Sequence, residues 1–463
     1  MQQNVILHLG VGSFHRAHQA VYLDELIERG DASWSIVGAN LRNDQADTMA
    51  ALISQRGEYT LETVTPAGVR AYRRVRSIRE VLPFDASLAA VIDVGAQPTI
   101  RIIAFTVTEA GYYLDPHNRL DMGFADITSD VEGRSTVTIY GAIAAILQRR
   151  MARNAGPVTL LNCDNLRSNG ERFRAGLLDF LARRGDTALA EWVRENTSCP
   201  NAMVDRITPR PPAEVAARVL AATGLADRAP VMAEDFIQWV IEDRFANGRP
   251  AWETVGAEMV ESVHAHEEAK IRILNATHSG FAWAGSLIGL YYIHEDVAVP
   301  WIRRMAFDYV TDDVIPCLDT KEHPSPVDLQ RYRDVVIDRF SNPHLQDTNQ
   351  RVAMDGCSKI PGFIAPTIRE RIAAGLPFAS TARLPALFFE FLRRRQAGGI
   401  AFEYHDQAMD PAAVRAWLDA PDPIKAFCSD ILLWGTIAGS DVLTAAVRTA
   451  HAEVLAFIDA SKP

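Results

Sequence analysis

The start of the chain constrains its fold most. Val5–Leu9 reads as a buried strand and passes directly into Gly10-Val11-Gly12, followed by the helical run Ala17–Arg29 and a second strand, Ser35–Ala39. The alternation continues with a helix over Asp44–Gln55. Next comes a hairpin of Tyr59–Thr65 and Val69–Val75 around the turn Pro66-Ala67-Gly68. A strand over Thr99–Val107, a helix over Thr136–Arg153 and a strand over Val158–Asn162 complete it. Strands separated by helical runs predict a parallel sheet with crossover helices.

Beyond about residue 210 the strand signals fade. Ala213–Thr223, His278–Ile293, Pro300–Val310, Leu384–Gln396 and Ala412–Ala420 all read as helices. The expected organisation is therefore an α/β domain over residues 1–266 and a mostly α-helical domain over residues 267–463. The 463 residues, 48% apolar, suffice for two cores. The formal charge, 47 − 58 = −11, leaves no basic excess to neutralise phosphates and argues against a nucleic-acid partner. The five cysteines are odd in number, widely spaced and free of C-x-x-C pairs, which argues against a disulfide framework or a cysteine zinc site and favours the cytosol. The longest apolar run, Phe281–Ile293, is too short to span a bilayer, and no targeting segment or membrane partner is expected. The chain is expected to act as a monomer or small homo-oligomer.

A strand followed by Gly-x-Gly and a helix is the context a dinucleotide needs, because glycines let backbone N–H groups approach the pyrophosphate at a helix N-terminus. Here Gly10 and Gly12 are present and the third glycine position holds His15. The second strand should end at the adenosine ribose, and it reads Gly38-Ala39-Asn40-Leu41-Arg42-Asn43-Asp44. Arg42 suits a 2′-phosphate and no acid follows the strand directly, so these residues leave NAD and NADP open.

The segment Glu267-Glu268-Ala269-Lys270-Ile271-Arg272-Ile273-Leu274-Asn275-Ala276-Thr277-His278 is the best candidate for the chemistry. As an α-helix at about 100° per residue, it sets Lys270, Glu267 and His278 within about 80° of one another on the apolar face. Burial disfavours a charged amine, and a lysine tuned toward neutrality is a general base. None of the eleven tyrosines precedes a lysine by four residues, which removes one common dehydrogenase arrangement. His264-x-His266 has metal-ligand spacing but reads as a surface loop, and no metal is expected. What remains is metal-free hydride transfer with Lys270 as base.

These motifs together resemble the mannitol dehydrogenase family of long-chain polyol dehydrogenases. The resemblance rests on Lys270-x4-Asn275-x2-His278, Gly10-Val-Gly-Ser-Phe-His-Arg-Ala-His-Gln19, Thr106-Val-Thr-Glu109, Cys163-Asp-Asn165 and Asp347-Thr348-x2-Arg351-x3-Asp355-Gly356-x2-Lys359. It covers nearly the whole chain, and Gly57–Gly68, Gly111–Leu114 and Asn154–Asn165 are similar in detail to the D-arabinitol branch. The resemblance implies an N-terminal Rossmann-type parallel sheet domain, a helical C-terminal domain and an active site in a cleft between them. It implies Lys270 as the base, Asn165 and Asn275 as hydrogen-bond donors to the developing alkoxide, and His278 as the group that orients substrate. Arg351, Lys359 and Asp205 match positions that hold polyol hydroxyls, and Glu267 matches a proton relay. Gly10, Gly12, Phe14, Thr108 and Glu109, with Asn40 and Arg42, would serve NAD. The implied reaction is NAD-dependent oxidation of a polyol, D-arabinitol to D-xylulose first and D-mannitol to D-fructose next. A fructuronate reductase and a non-catalytic nucleotide-binding sensor follow.

Overall fold

The structure is a computed structural model that describes residues 3–115 and 119–462; the side chain of Glu109 also lies outside the described set. The chain forms two compact units. One comprises Met1–Val64 with Val69–His264, the other Thr65–Gly68 with Ala265–Pro463.

The first unit is built on a six-stranded sheet. Its order is Ile78–Val81, Trp34–Ala39, Asn4–Leu9, Ile100–Phe105, Val158–Asn162, Thr197–Ser198, and every pairing is parallel. Asn4–Leu9 is central: Ile6 pairs with Ile36 on one side and Ile102 on the other. The chain builds outward from it in one direction and then crosses to the other side. That reversal opens a crevice beyond the carboxyl ends of Asn4–Leu9 and Ile100–Phe105, where open α/β sheets bind ligands. Both faces are covered. Leu7, Leu9, Ile103 and Phe105 pack with Tyr140, Phe173 and Phe180, whereas Ile6, Ile36, Ile102 and Leu161 pack with Leu23, Leu26 and Trp239. Burial on two faces is why these strands read as continuous apolar runs.

Two expectations need correction here. Strands continue past residue 210. Val231–Glu234 pairs in parallel with Tyr59–Val64, which is also paired with Arg70–Val75, and Gln238–Glu242 lies between Ala202–Asp205 and Glu258–Val260. These later strands have three to five residues, too few to set up a legible period of two, and they depend on partners distant in sequence. The expected Ala17–Arg29 helix is two helices, Ser13–Ala17 and Gln19–Glu28, broken at His18. The His18 ring is buried, with Nε2 2.8 Å from the carbonyl oxygen of Gln238.

The second unit is helical. Its central helix, Ala276–Leu287, packs on Ala379–Gln396, which packs on Asp441–Ala460. Trp283 fixes the centre: its indole N–H donates to the Ala353 carbonyl at 3.2 Å and its ring meets Phe388 at 4.9 Å. Three π-helical turns, Lys270–Asn275, Tyr309–Val314 and Ile360–Ile364, interrupt the α-helices, and the first packs on both others. Among the described residues no helix is long and apolar enough to cross a membrane.

Candidate active site

In the first unit the sheet crevice holds a cavity of about 460 Å³, lined by residues that include Gly10, Asn40, Arg42, Thr106, Thr108 and Asp126. Gly10 has φ +103°, and a Cβ there would stand 2.2 Å from the Thr106 carbonyl oxygen, so only glycine lets the turn pass the neighbouring strand. At Gly12 a Cβ would meet nothing nearer than 3.9 Å, so the space over it is open for a ligand to approach the backbone. Phe14 stacks on His18 at 5.0 Å and packs against the core of its unit. At the missing third glycine, His15 is buried and stacked on His8 at 3.4 Å, with Nδ1 3.2 Å from Gln19 Oε1; burial pulls its pKa down to about 3, so it is neutral.

Asn40 and Arg42 have different surroundings from those the ribose reading suggests. The side-chain oxygen of Asn40 accepts from the Val11 backbone N–H at 2.8 Å, which ties the second strand to the glycine turn. Arg42 donates to Asp126 at 2.9 Å and to the Tyr113 hydroxyl at 2.7 Å. Its charge therefore already has a carboxylate partner. The sequence does not reveal Tyr113 and Asp126 as partners of Arg42, because they lie 71 and 84 residues away from it.

Thr108 adopts φ +65°, a strained conformation for a β-branched residue. Asp164 stabilises it. Its carboxylate accepts from the Val107 N–H at 2.9 Å, the Thr108 N–H at 2.8 Å and the Tyr112 hydroxyl at 3.0 Å. Asn165 follows Asp164 and is exposed, while Asp205 is buried at the end of its strand. Cys163 is buried, and burial raises its thiol well above the usual range, so it is unreactive packing.

In the second unit the Lys270 segment is not a uniform α-helix. His264–Ala269 is α-helical, Lys270–Asn275 is a π turn, and Ala276–Leu287 is α-helical again. On an α-helix Lys270 and Asn275 would point about 140° apart. A π turn bonds i to i+5 and winds less per residue, so the same spacing brings them closer to one side. Glu267, Lys270 and Arg272 are all buried. The turn is held by its surroundings: Arg272 donates to Glu268 at 2.7 Å and by two bonds to Glu370, and the Tyr309 hydroxyl donates to the Arg272 carbonyl at 2.7 Å. His264-x-His266 lies on the preceding helix rather than in a loop, with His266 buried and His264 exposed. Among the described residues no three potential ligand side chains gather as a metal site.

His278 stacks on Phe340 at 4.2 Å, and its Nε2 lies 3.1 Å from Asp347 Oδ2. Burial lowers its pKa, so the ring is neutral at neutral pH. Arg351 holds the same carboxylate through two bonds, Nε to Oδ1 at 2.7 Å and Nη2 to Oδ2 at 2.6 Å. Burial opposes the Asp347 charge, but His278 and Arg351 outweigh it and hold the pKa at about 2. Lys359 donates to the Val352 carbonyl at 2.6 Å, and burial draws its ammonium down to about 8. The structure thus brings His278, Arg351 and Lys359 into one electrostatic cluster around Asp347, which was quoted in a motif but given no role. Its four-residue spacing from Arg351 was the available signal.

Two family models match the chain, the mannitol dehydrogenase Rossmann domain over residues 4–254 and the mannitol dehydrogenase C-terminal domain over residues 262–455. D-arabinitol 4-dehydrogenase of Ralstonia nicotianae is 59% identical over 456 residues, covering 98% of this chain and 97% of that one. D-arabinitol 4-dehydrogenase of Klebsiella pneumoniae is 51% identical over 453 residues, covering 98% of each. The structure of Pseudomonas fluorescens mannitol 2-dehydrogenase in ternary complex with NAD and D-mannitol superposes with a TM-score of 0.85 at 33% identity, covering 100% of this chain and 95% of that one. With both halves matched and relatives this similar along its whole length, the chain belongs to the mannitol dehydrogenase family.

Proposed function

We propose that the protein is an NAD-dependent polyol dehydrogenase whose principal reaction is the oxidation of D-arabinitol to D-xylulose. The observation that carries the reading is the π turn that begins at the buried Lys270 and ends at Asn275, one turn before His278. The 59% identity to a D-arabinitol 4-dehydrogenase supports the substrate. Likeness to a mannitol 2-dehydrogenase supports D-mannitol, oxidised to D-fructose, as a second substrate.

Lys270 takes the proton of the reacting hydroxyl, and Glu267 relays it onward. Asn275 and Asn165 donate to the oxygen as negative charge develops on it. His278 orients that hydroxyl, while Arg351, Lys359 and Asp205 hold the others and fix which carbon reacts. The first-unit cavity fits a dinucleotide, with room over Gly12 for a pyrophosphate. When bound, NAD supplies the nicotinamide that accepts the hydride. NAD is preferred to NADP on this reading because Arg42 is paired with Asp126, and Asp44 also lines the cavity. The cytosol is the proposed compartment, since all five cysteines are free.

The test is NADH formation against D-arabinitol, D-mannitol, D-sorbitol, xylitol and D-mannonate. The proposal expects D-arabinitol to give the highest kcat/KM, with D-mannitol second. Turnover of D-mannonate alone would overturn it.

A further inference from the structure

Two cations near a substrate site, Arg351 and Lys359, are the ordinary equipment for binding a carboxylate, and a sugar acid would be their natural ligand. The geometry around Asp347 points elsewhere. The Asp347 side chain is only 10% exposed and occupies the Nε–Nη2 edge of Arg351 with two bonds. That edge is the flat fork a sugar carboxylate would use.

The backbone at Asp347 is braced from both sides. Its own carbonyl oxygen accepts from the Ile293 N–H at 3.0 Å. Two residues on, the Asn349 N–H donates to the Tyr291 carbonyl at 2.9 Å. The buried Asn349 amide then donates to Leu290 at 3.1 Å and to Asp296 at 3.0 Å. The backbone is thus held, and the carboxylate it carries lies between Arg351 and the His278 ring.

We infer that Asp347 is the specificity-determining residue that makes this site select neutral polyols over sugar acids. Arg351 keeps its Nη1 donors for a hydroxyl oxygen, which needs a hydrogen bond but no net positive charge. A sugar carboxylate must shed its hydration to enter, and the charge that would repay this is already matched by Asp347. The neutral His278 adds nothing to it, and Lys359 already donates to the Val352 carbonyl, with burial drawing its ammonium down to about 8. The inference rests on the polyol reading above, and names the residue that enforces it.

The experiment measures D-arabinonate and D-mannonate as competitive inhibitors of D-arabinitol oxidation at saturating NAD, with direct calorimetric titration of the same anions. For the unaltered protein the inhibition constants should exceed the KM for D-arabinitol by at least tenfold. In Asp347→Asn, which keeps the size but removes the charge, they should fall at least tenfold while the KM for D-arabinitol does not fall. The added change Arg351→Gln should abolish that gain. A folded Asp347→Asn with unchanged anion affinity would overturn the inference. Should Asp347→Asn not fold, Asp347→Ser, which also removes the charge, decides: anion affinity should rise at least tenfold, and an unchanged affinity in the folded variant would overturn the inference. Absence of all polyol turnover in the unaltered protein refutes the proposed function, and the calorimetric arm still judges Asp347 separately.

Discussion

Arg42 shows how much one ion pair changes a reading. Alone in the sequence it argues for a 2′-phosphate, yet in the fold it belongs to Asp126 and Tyr113. The pair is half exposed and worth at most about 1 kcal/mol by itself. A 2′-phosphate brings close to two negative charges, and facing Asp44 and Asp126 it would meet a screened repulsion of about 1 kcal/mol per carboxylate. NAD should therefore be favoured over NADP by at least tenfold in kcat/KM, about 1.4 kcal/mol. Asp126→Asn should narrow that ratio by lowering the kcat/KM gap, and steady-state kinetics with both cofactors checks it; equal use of NADP by the unaltered protein would contradict it. Single residues of this kind were only partly legible. Gly10 could be placed from sequence because a strand, a glycine and a helix define one turn. Asp126 and Asp347 could not, because an acid's role depends on which base the fold brings to it.

At the scale of elements, the π turn is the feature that α-helical periodicity misses. Residues five apart look unrelated at 100° per residue, so the helical wheel does not set Asn275 beside Lys270, although both are polar groups of one apolar segment. A π turn leaves carbonyls poorly matched, and the Tyr309 hydroxyl serves one of them at Arg272. Tyr309→Phe should cost about 1 kcal/mol in stability and lower kcat more than it raises KM, because the alignment of Lys270 with Asn275 loosens. Chemical denaturation and steady-state kinetics read the two effects; an unchanged kcat would remove Tyr309 from the account. Asp296 offers a second check on the bracing of Asp347. It is fully buried, and burial raises its carboxyl to about 8. Its folded pKa lies above its unfolded value near 4, so the stability from the bound proton is full below pH 4 and is lost as pH rises toward about 8. Asp296→Asn has no such loss. Its melting temperature relative to the unaltered protein should climb between pH 5 and pH 8 and level beyond. A difference that is flat across that range would show Asp296 to be ionised in the fold. The strands of the parallel sheet, Val158–Asn162 among them, were legible because two-sided burial writes a continuous apolar run. The strands Val231–Glu234 and Glu258–Val260 were not, because their identity comes from distant partners rather than from local pattern.

For the whole molecule, the proposed chemistry leaves acid–base work and charge stabilisation to side chains: a lysine base with amide donors in place of a Lewis acid. Activity should therefore persist through prolonged dialysis against a strong chelator, and elemental analysis should find no stoichiometric zinc. Loss of activity with chelator, restored by zinc and blocked by His264→Ala, would put a metal into the mechanism. The most direct test follows NADH formation with D-arabinitol and identifies the product, for the unaltered protein and for Lys270→Ala. The expected result is D-xylulose from the unaltered protein and a kcat lower by roughly 10² to 10⁴-fold or more in a folded Lys270→Ala. Near-normal turnover in that variant would contradict it.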